Sequence, residues 1–132
     1  MLESYPGSAL PVPQEILSNC ITACLECAAA CTACSDACMA EDDIKTLVKC
    51  MRTDLDCADV CEATAKILTR QRAHDLAVIQ SILSACSTTI VACAEECERH
   101  AAHHEHCRIC AEVCRRTESA CRKLLAALST DT

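Results

Sequence analysis

Six cysteines in the first third of the chain are spaced four, three, four, three and four residues apart: Cys20, Cys24, Cys27, Cys31, Cys34 and Cys38. Positions with this spacing form one stripe along a helix, the a/d seam of a heptad, which Leu or Ile usually fills. A stripe of this kind faces the inside of a helix bundle. The spacing therefore predicts that the chain places a row of thiols in its own core.

Three later segments continue the same register, and each of them contains cysteine. The second segment carries Leu47, Cys50, Asp54, Cys57, Cys61, Thr64 and Leu68. The third carries Leu76, Ile79, Leu83, Cys86, Ile90, Cys93, Cys97 and His100. The fourth carries His103, Cys107, Cys110, Cys114, Thr117, Cys121, Leu124 and Leu128.

Four periodic segments with short polar connections predict an all-α fold, an antiparallel up-down-up-down four-helix bundle with a cysteine-lined core. A single Gly and the absence of Phe and Trp fit such a fold. We expect a tail over residues 1–12 and the bundle over residues 13–130, with turns in 69–75 and 99–105. The first helix should cover about 13–40, and Asp42 or Asp43 should cap the second, which ends near 70.

The alternating helix directions predict two ends of different chemistry. One end collects aliphatic residues: Ile16, Leu17, Leu68, Leu76, Ile79, Leu83, Leu124, Leu125 and Leu128. The other end collects metal-binding side chains: Cys34, Cys38, Met39, Cys50, Met51, Asp54, Cys97, His100, His103, His104, His106 and Cys107. The pattern therefore predicts a bundle that is closed by apolar packing at one end and open to ligands at the other.

The net charge and the N-terminal residues indicate the cellular compartment of the protein and the partners it can bind. The net charge of −7 offers no basic face to nucleic acid or to an acidic membrane surface. The N-terminus shows no signal-peptide pattern, and no apolar run approaches the roughly 20 residues of a membrane span. We therefore expect a cytoplasmic protein with reduced thiols, no nucleic-acid partner and no membrane partner. Disulfides between different helices remain an alternative.

Thiolates are soft ligands that select Cu(I), Zn(II) or iron–sulfur clusters. Zinc and iron–sulfur sites need four converging ligands, whereas a row of cysteines along one helix supplies pairs more readily than closed quartets, and two or three thiolates satisfy Cu(I). The pairs Cys24/Cys27, Cys31/Cys34 and Cys107/Cys110 have Cys-x-x-Cys spacing, but they lack the context of a thioredoxin, haem c or ferredoxin motif. The alternative is that cysteine merely fills the core as a small apolar residue, but sixteen cysteines in place of Leu would give up packing stabilisation in the layers where a bundle most needs volume.

The predicted metal ligands are all sixteen cysteines together with His100 and His103, and the predicted ions are multiple Cu(I). These two histidines extend the cysteine columns of helices three and four, while His104 and His106 are expected to be exposed or transient ligands. Asp54 on the seam must find a partner or water, so it could orient His103 or a thiol, or reach solvent. Met39 and Met51 lie near the same end, as further soft ligands or as gap-fillers.

The whole cysteine pattern resembles that of the bacterial copper storage proteins, a family of cysteine-rich four-helix bundles. The resemblance covers roughly residues 13–128 and rests on the run Cys20 to Cys38, on Cys57/Cys61 and Cys93/Cys97, and on Cys107/Cys110/Cys114. It implies a core that binds many Cu(I) ions, a mouth bearing His and Met, assembly into homotetramers, and membership of the cytosolic branch. The chain departs from the family members richest in cysteine at four seam positions that carry no thiol: Asp54, Thr64, Ile90 and Thr117.

Copper storage is accordingly the leading hypothesis, with copper ions as the cargo and copper chaperones or copper enzymes as possible exchange partners. Two alternatives remain: a zinc or cadmium thiolate buffer of metallothionein type, and a thiol redox protein. The redox reading needs an accessible cysteine of low pKa, for which Cys38, Cys50 and Cys107 qualify by position. We expect no enzyme, because the chain has no phosphate-binding loop, nucleophile elbow or His-Glu-x-x-His motif.

Overall fold

The computed structural model describes residues 2–4, 6 and 10–129. Four α-helices make up the described part of the chain: α1 Gln14–Met39, α2 Val48–Thr69, α3 Leu76–His100 and α4 Glu105–Ser129. Two short 3-10 turns, Leu2–Ser4 and Ile44–Leu47, are the other helical elements described. Helix α1 packs against α2 and α4, and α3 packs against the same two neighbours. The predicted all-α four-helix bundle is therefore confirmed.

The connections between the helices depend on local side-chain contacts. Asp75 caps α3, because its Oδ1 accepts hydrogen bonds from the backbone N–H groups of Ala77 and Val78 at 3.0 and 3.3 Å. The expectation that Asp42 or Asp43 caps the second helix is wrong, since Asp43 precedes the 3-10 turn and makes no capping bond there. The Asp43 carboxylate instead contacts the side chains of Thr46 and His104.

The core is a single column with thiols along most of its length and aliphatic side chains at one end. The buried aliphatic residues at that end are Leu17, Leu68, Ile79, Leu83, Leu124 and Leu128. The chain before α1 also packs there: Leu10 is 4% exposed, and its N–H donates to Oε1 of the fully buried Gln71 at 2.9 Å. The Gln71 amide in turn donates to the carbonyl of Leu68. The aliphatic end of the bundle is thus sealed by packing and by satisfied polar groups.

Helices α1 and α3 are long and apolar enough to cross a membrane when judged by length and composition alone. This corrects the expectation that no apolar segment is long enough to span a membrane. Cys and Ala, which are frequent in both helices, contribute more to the mean hydropathy than that expectation allowed. The criterion is also met by the core helices of water-soluble bundles. In this chain both helices turn their cysteine stripes into the bundle, where every one of these thiols is buried. The finding is therefore weak evidence for a membrane span.

Candidate metal centre

All sixteen cysteine side chains lie inside the bundle. Each is at most 2% exposed, and each is a free thiol. The heptad spacing places the stripes of the four helices face to face, so that thiols meet across helix boundaries as well as along one helix. The structure therefore describes the core in its reduced form.

Two groups of four thiols occupy the middle of this core, and each group draws on three helices. The first consists of Cys27, Cys31, Cys57 and Cys114, and the second of Cys31, Cys93, Cys110 and Cys114. All Sγ atoms within a group lie within 4.8 Å of one another. Individual contacts include Cys27–Cys57 at 3.9 Å, Cys27–Cys114 at 3.8 Å and Cys31–Cys93 at 3.8 Å.

These distances match thiolates that share a metal ion. Two sulfurs bound at about 2.3 Å lie about 3.8 Å apart in a tetrahedral site and about 4.6 Å apart in a linear one. The groups also correct the expectation that the cysteines supply pairs more readily than closed quartets. That expectation considered one helix at a time, whereas the quartets form where the stripes of three helices converge.

Thiol contacts continue from the quartets toward the aliphatic end. Cys57 contacts Cys61 at 3.9 Å, and Cys61 contacts Cys86 at 3.8 Å. Nearest that end, Cys121 contacts Cys20 at 3.7 Å and Cys24 at 4.0 Å. The core therefore offers soft ligands from the histidine-bearing end of the bundle almost to the aliphatic end.

Asp54 is the one carboxylate in the interior of this column that the structure describes, and it is fully buried. Its Oδ1 accepts hydrogen bonds from the thiols of Cys93, Cys110 and Cys97 at 3.1, 3.4 and 3.5 Å. Burial, followed by negative charge developing at Cys110 and Cys93, raises the pKa of Asp54 to about 10. Of the three roles open from the sequence, contact with thiols is the one observed, because the side chain reaches neither solvent nor His103.

A third group of ligands lies at the end of the column opposite the aliphatic residues, which we call the mouth. It consists of Cys34, Cys38, Cys107 and His106. The Nδ1 atom of His106 lies 3.4 Å from Sγ of Cys34 and 3.6 Å from Sγ of Cys107. Below this group, Cys50 and Cys97 are 3.7 Å apart. His106 therefore brings an imidazole nitrogen into contact with the thiol column.

The two histidines singled out from the sequence occupy other positions. His100 ends α3, and its Nε2 lies 3.0 Å from Oε2 of the buried Glu96. His103 is exposed and precedes α4, which begins only at Glu105. The heptad register places His103 above Cys107 only if the helix extends that far, which explains why sequence reasoning missed His106. The sequence did contain one sign that His106 could be a ligand, because it directly precedes the predicted ligand Cys107.

His104 lies outside the thiol column and contacts two carboxylates of the connection between α1 and α2. Its Nδ1 contacts Glu41, and its Nε2 lies 2.9 Å from Oδ2 of Asp43. Hydrogen bonding with Asp43, together with the charges of Asp43 and Glu41, raises the pKa of His104. Although it was expected to be exposed, its side chain is only 10% exposed. Of the two methionines, Met39 is 63% exposed and Met51 packs partly buried against the core.

Burial keeps the thiols of Cys38 and Cys107 at the mouth protonated in the metal-free protein near neutral pH, whereas hydrogen bonds with Cys34 and Cys97 lower the pKa of Cys50. Burial, followed by the charges of Cys50 and Asp54, raises the pKa of Cys38 to about 12. Burial also raises the pKa of Cys107 above its ordinary value. The redox reading required an accessible thiolate at Cys38, Cys50 or Cys107, yet all three are fully buried. A metal ion that enters this end must therefore displace protons.

Comparison with known proteins agrees with this geometry. The family model described as copper storage protein (Csp) matches residues 13–126. The copper storage protein Ccsp from Streptomyces lividans, loaded with 10 copper equivalents, superposes with a TM-score of 0.94 at 52% identity, over 96% of each chain. A cytosolic copper storage protein from Streptomyces lividans carrying five coppers gives 0.84 and 55%, over 85% of this chain and 93% of that one. The Cu(I)-bound copper storage protein BsCsp3 from Bacillus subtilis gives 0.72 and 31%, over 82% and 96%.

Proposed function

Because this chain belongs to the copper storage protein family, we propose that it stores multiple Cu(I) ions in the thiolate core of its helix bundle. The observation that carries this proposal is the column of sixteen buried free thiols, with Sγ atoms in contact across helices. The two central quartets share Cys31 and Cys114. Sharing of ligands between neighbouring sites favours a continuous multinuclear store over isolated ions.

The choice of Cu(I) rests on ligand chemistry and on the relatives. The sulfur spacings suit a zinc site as well as a copper site, so geometry alone does not separate the two metals. Soft thiolates bind Cu(I) strongly, and a site that shares its ligands with neighbours suits an ion satisfied by two or three sulfurs. Proteins of the same fold, at 31–55% identity, carry copper. A zinc or cadmium buffer is the second candidate, supported by the closed quartets.

We assign the ligand set as all sixteen cysteines, with His106 and Asp54 as additional ligands from the mouth and the middle of the column. In this proposal His100 and His103 serve the path to the mouth. No hydrogen bond joins either of them to a thiol in the described residues, and the recorded side-chain partner of His100 is Glu96. Copper would be held away from solvent by burial, which suits storage rather than catalysis.

The proposed location, assembly and exchange partners rest on the relatives and on the family resemblance. A relative at 55% identity is described as a cytosolic copper storage protein, which supports a cytosolic store. Assembly into a homotetramer is the expectation from the family resemblance, and copper chaperones or copper enzymes are the exchange partners that such a store requires.

An anaerobic titration with Cu(I), in competition with a chromophoric Cu(I) chelator, tests the storage function. We expect the reduced protein to withhold on the order of one ion per thiol from the chelator, and to hold zinc less tightly. The Cys31→Ala/Cys114→Ala variant removes two thiols from each quartet and should lose several ions. Ile90→Val, a change at a buried seam position without a thiol, should retain the full capacity. Binding of only a few ions, or tighter binding of zinc, would overturn the assignment.

Copper loading should release protons. Because an unpaired thiolate is costly to bury, we expect most of the thiols to be neutral at pH 7 and to release up to about one proton per thiol that binds copper, measured with a pH indicator in weakly buffered solution. The apparent affinity should consequently fall as the pH is lowered, since protons compete with copper for each sulfur. Release of far less than half a proton per thiol would mean that the thiols are already ionised before loading.

A further inference from the structure

The two connections at the mouth of the bundle are joined by histidine–carboxylate contacts. Glu41 and Asp43 belong to the connection between α1 and α2, and His104 and His106 to the segment that begins α4. Oε2 of Glu41 contacts Nδ1 of His104 and lies 3.0 Å from Nε2 of His106. Nε2 of His104 lies 2.9 Å from Oδ2 of Asp43. The two imidazole rings stack with their centroids 5.5 Å apart.

The two nitrogens of His106 face different partners. Nε2 faces the Glu41 carboxylate, which can only accept a hydrogen bond. Nδ1 faces the thiols of Cys34 and Cys107 at 3.4 and 3.6 Å. A neutral imidazole carries one N–H, and a carboxylate on one nitrogen retains the proton on that side. In that tautomer the Nδ1 lone pair is directed at the sulfur column.

We propose that Glu41 is a positioning residue for the mouth of the store: it fixes His106 in the Nε2–H tautomer and, through His104, ties the two connections together. This inference rests on the proposed function, since the purpose of a directed Nδ1 lone pair is to meet a metal ion passing toward Cys34 and Cys107. Glu41 acts through His106 and does not itself reach the thiols. Its loss should therefore change the rate of loading and leave the capacity of the cysteine core intact.

Three variants separate positioning from simple charge. Glu41→Ala removes the acceptor, whereas Glu41→Gln keeps an oxygen that can accept from Nε2–H. Asp42→Ala removes one negative charge from the adjacent exposed residue, for which the structure records no contact with either imidazole. If attraction of cations by acidic residues controlled loading, Asp42→Ala and Glu41→Ala would behave alike.

The first readout needs no copper. The ¹⁵N chemical shifts of the His106 ring in the reduced metal-free protein report its tautomer. We expect the Nε2–H form to dominate in the parent protein, in Glu41→Gln and in Asp42→Ala, and to give way to a tautomer mixture in Glu41→Ala. An unchanged tautomer in Glu41→Ala overturns the proposal.

The second readout is stopped-flow loading with Cu(I), together with the final number of ions bound. We expect Glu41→Ala to load about tenfold more slowly, the lower end of the effect usual for residues that orient a metal ligand. Its capacity should be unchanged, and Glu41→Gln should restore most of the rate. Equal rates in Glu41→Ala and Asp42→Ala overturn the positioning role. Failure of the parent protein to bind copper would overturn the storage function, a result independent of the tautomer measurement.

Discussion

Saturation with Cu(I) should raise the melting temperature of the reduced bundle by at least about 20 °C. Copper bound between helices stabilises the folded chain, because the unfolded chain offers no preformed site. Only three core sites, each at a free copper concentration 100 times its Kd, would contribute about 8 kcal/mol. A chain of this size gains roughly 3–4 °C per kcal/mol. Anaerobic thermal unfolding followed by circular dichroism measures the shift.

Two variants locate the origin of this stabilisation. Cys31→Ala/Cys114→Ala should show a much smaller rise than the parent protein, because both central quartets have lost half of their sulfurs. Ile90→Val should show the full rise. A shift below about 5 °C in the parent protein would mean that copper binds outside the core, where it cannot join helices.

Asp54→Asn should make the metal-free protein more stable at pH 8 and remove a pH dependence that the parent protein shows. Because the folded-state pKa of Asp54 is raised to about 10, the folded chain retains a proton that the unfolded chain releases near pH 4. Stability from this group is therefore greatest at low pH and is lost as the pH rises toward 10. The limiting slope is about 1.4 kcal/mol per pH unit, or about 3 kcal/mol between pH 5.5 and 8.

Urea unfolding of the apo protein at several pH values tests this prediction. Other groups that titrate in the same range, including His104, are common to both proteins, so the difference between the two slopes isolates Asp54. Asp59→Asn is the matched control, because it neutralises an exposed carboxylate of the same helix. Parallel pH profiles for the parent protein and Asp54→Asn would contradict a buried, protonated carboxyl group.

The helices could be predicted closely from the sequence. Helix one was expected over about 13–40 and is observed over Gln14–Met39. The heptad of cysteines and aliphatic residues determines both the helical state and the buried face, so the period alone identifies the core. The break before α3 was likewise visible as a polar stretch, and Asp75 at its end provides the cap.

The contacts of the site were harder to predict, because they depend on how the helices rotate and where the connections end. Closed quartets arise from thiols on three helices, and no spacing within one segment reveals them. His106 reaches the thiols because α4 begins at Glu105, which is too late for His103 to join the column. The contacts of Asp54 with thiols of α3 and α4 depend on the same packing.

The seal at the aliphatic end, with Leu10 held on Gln71, determines the order in which ions can be exchanged. If ions pass only at the histidine-bearing end, we expect the column to fill and empty through the same sulfurs. An ion held by Cys20, Cys24 and Cys121 must be handed outward through the quartets before it can leave. We therefore expect the last ion to arrive to be the first to depart, and the deepest ions to form a long-lived reserve beneath a rapidly exchanging layer.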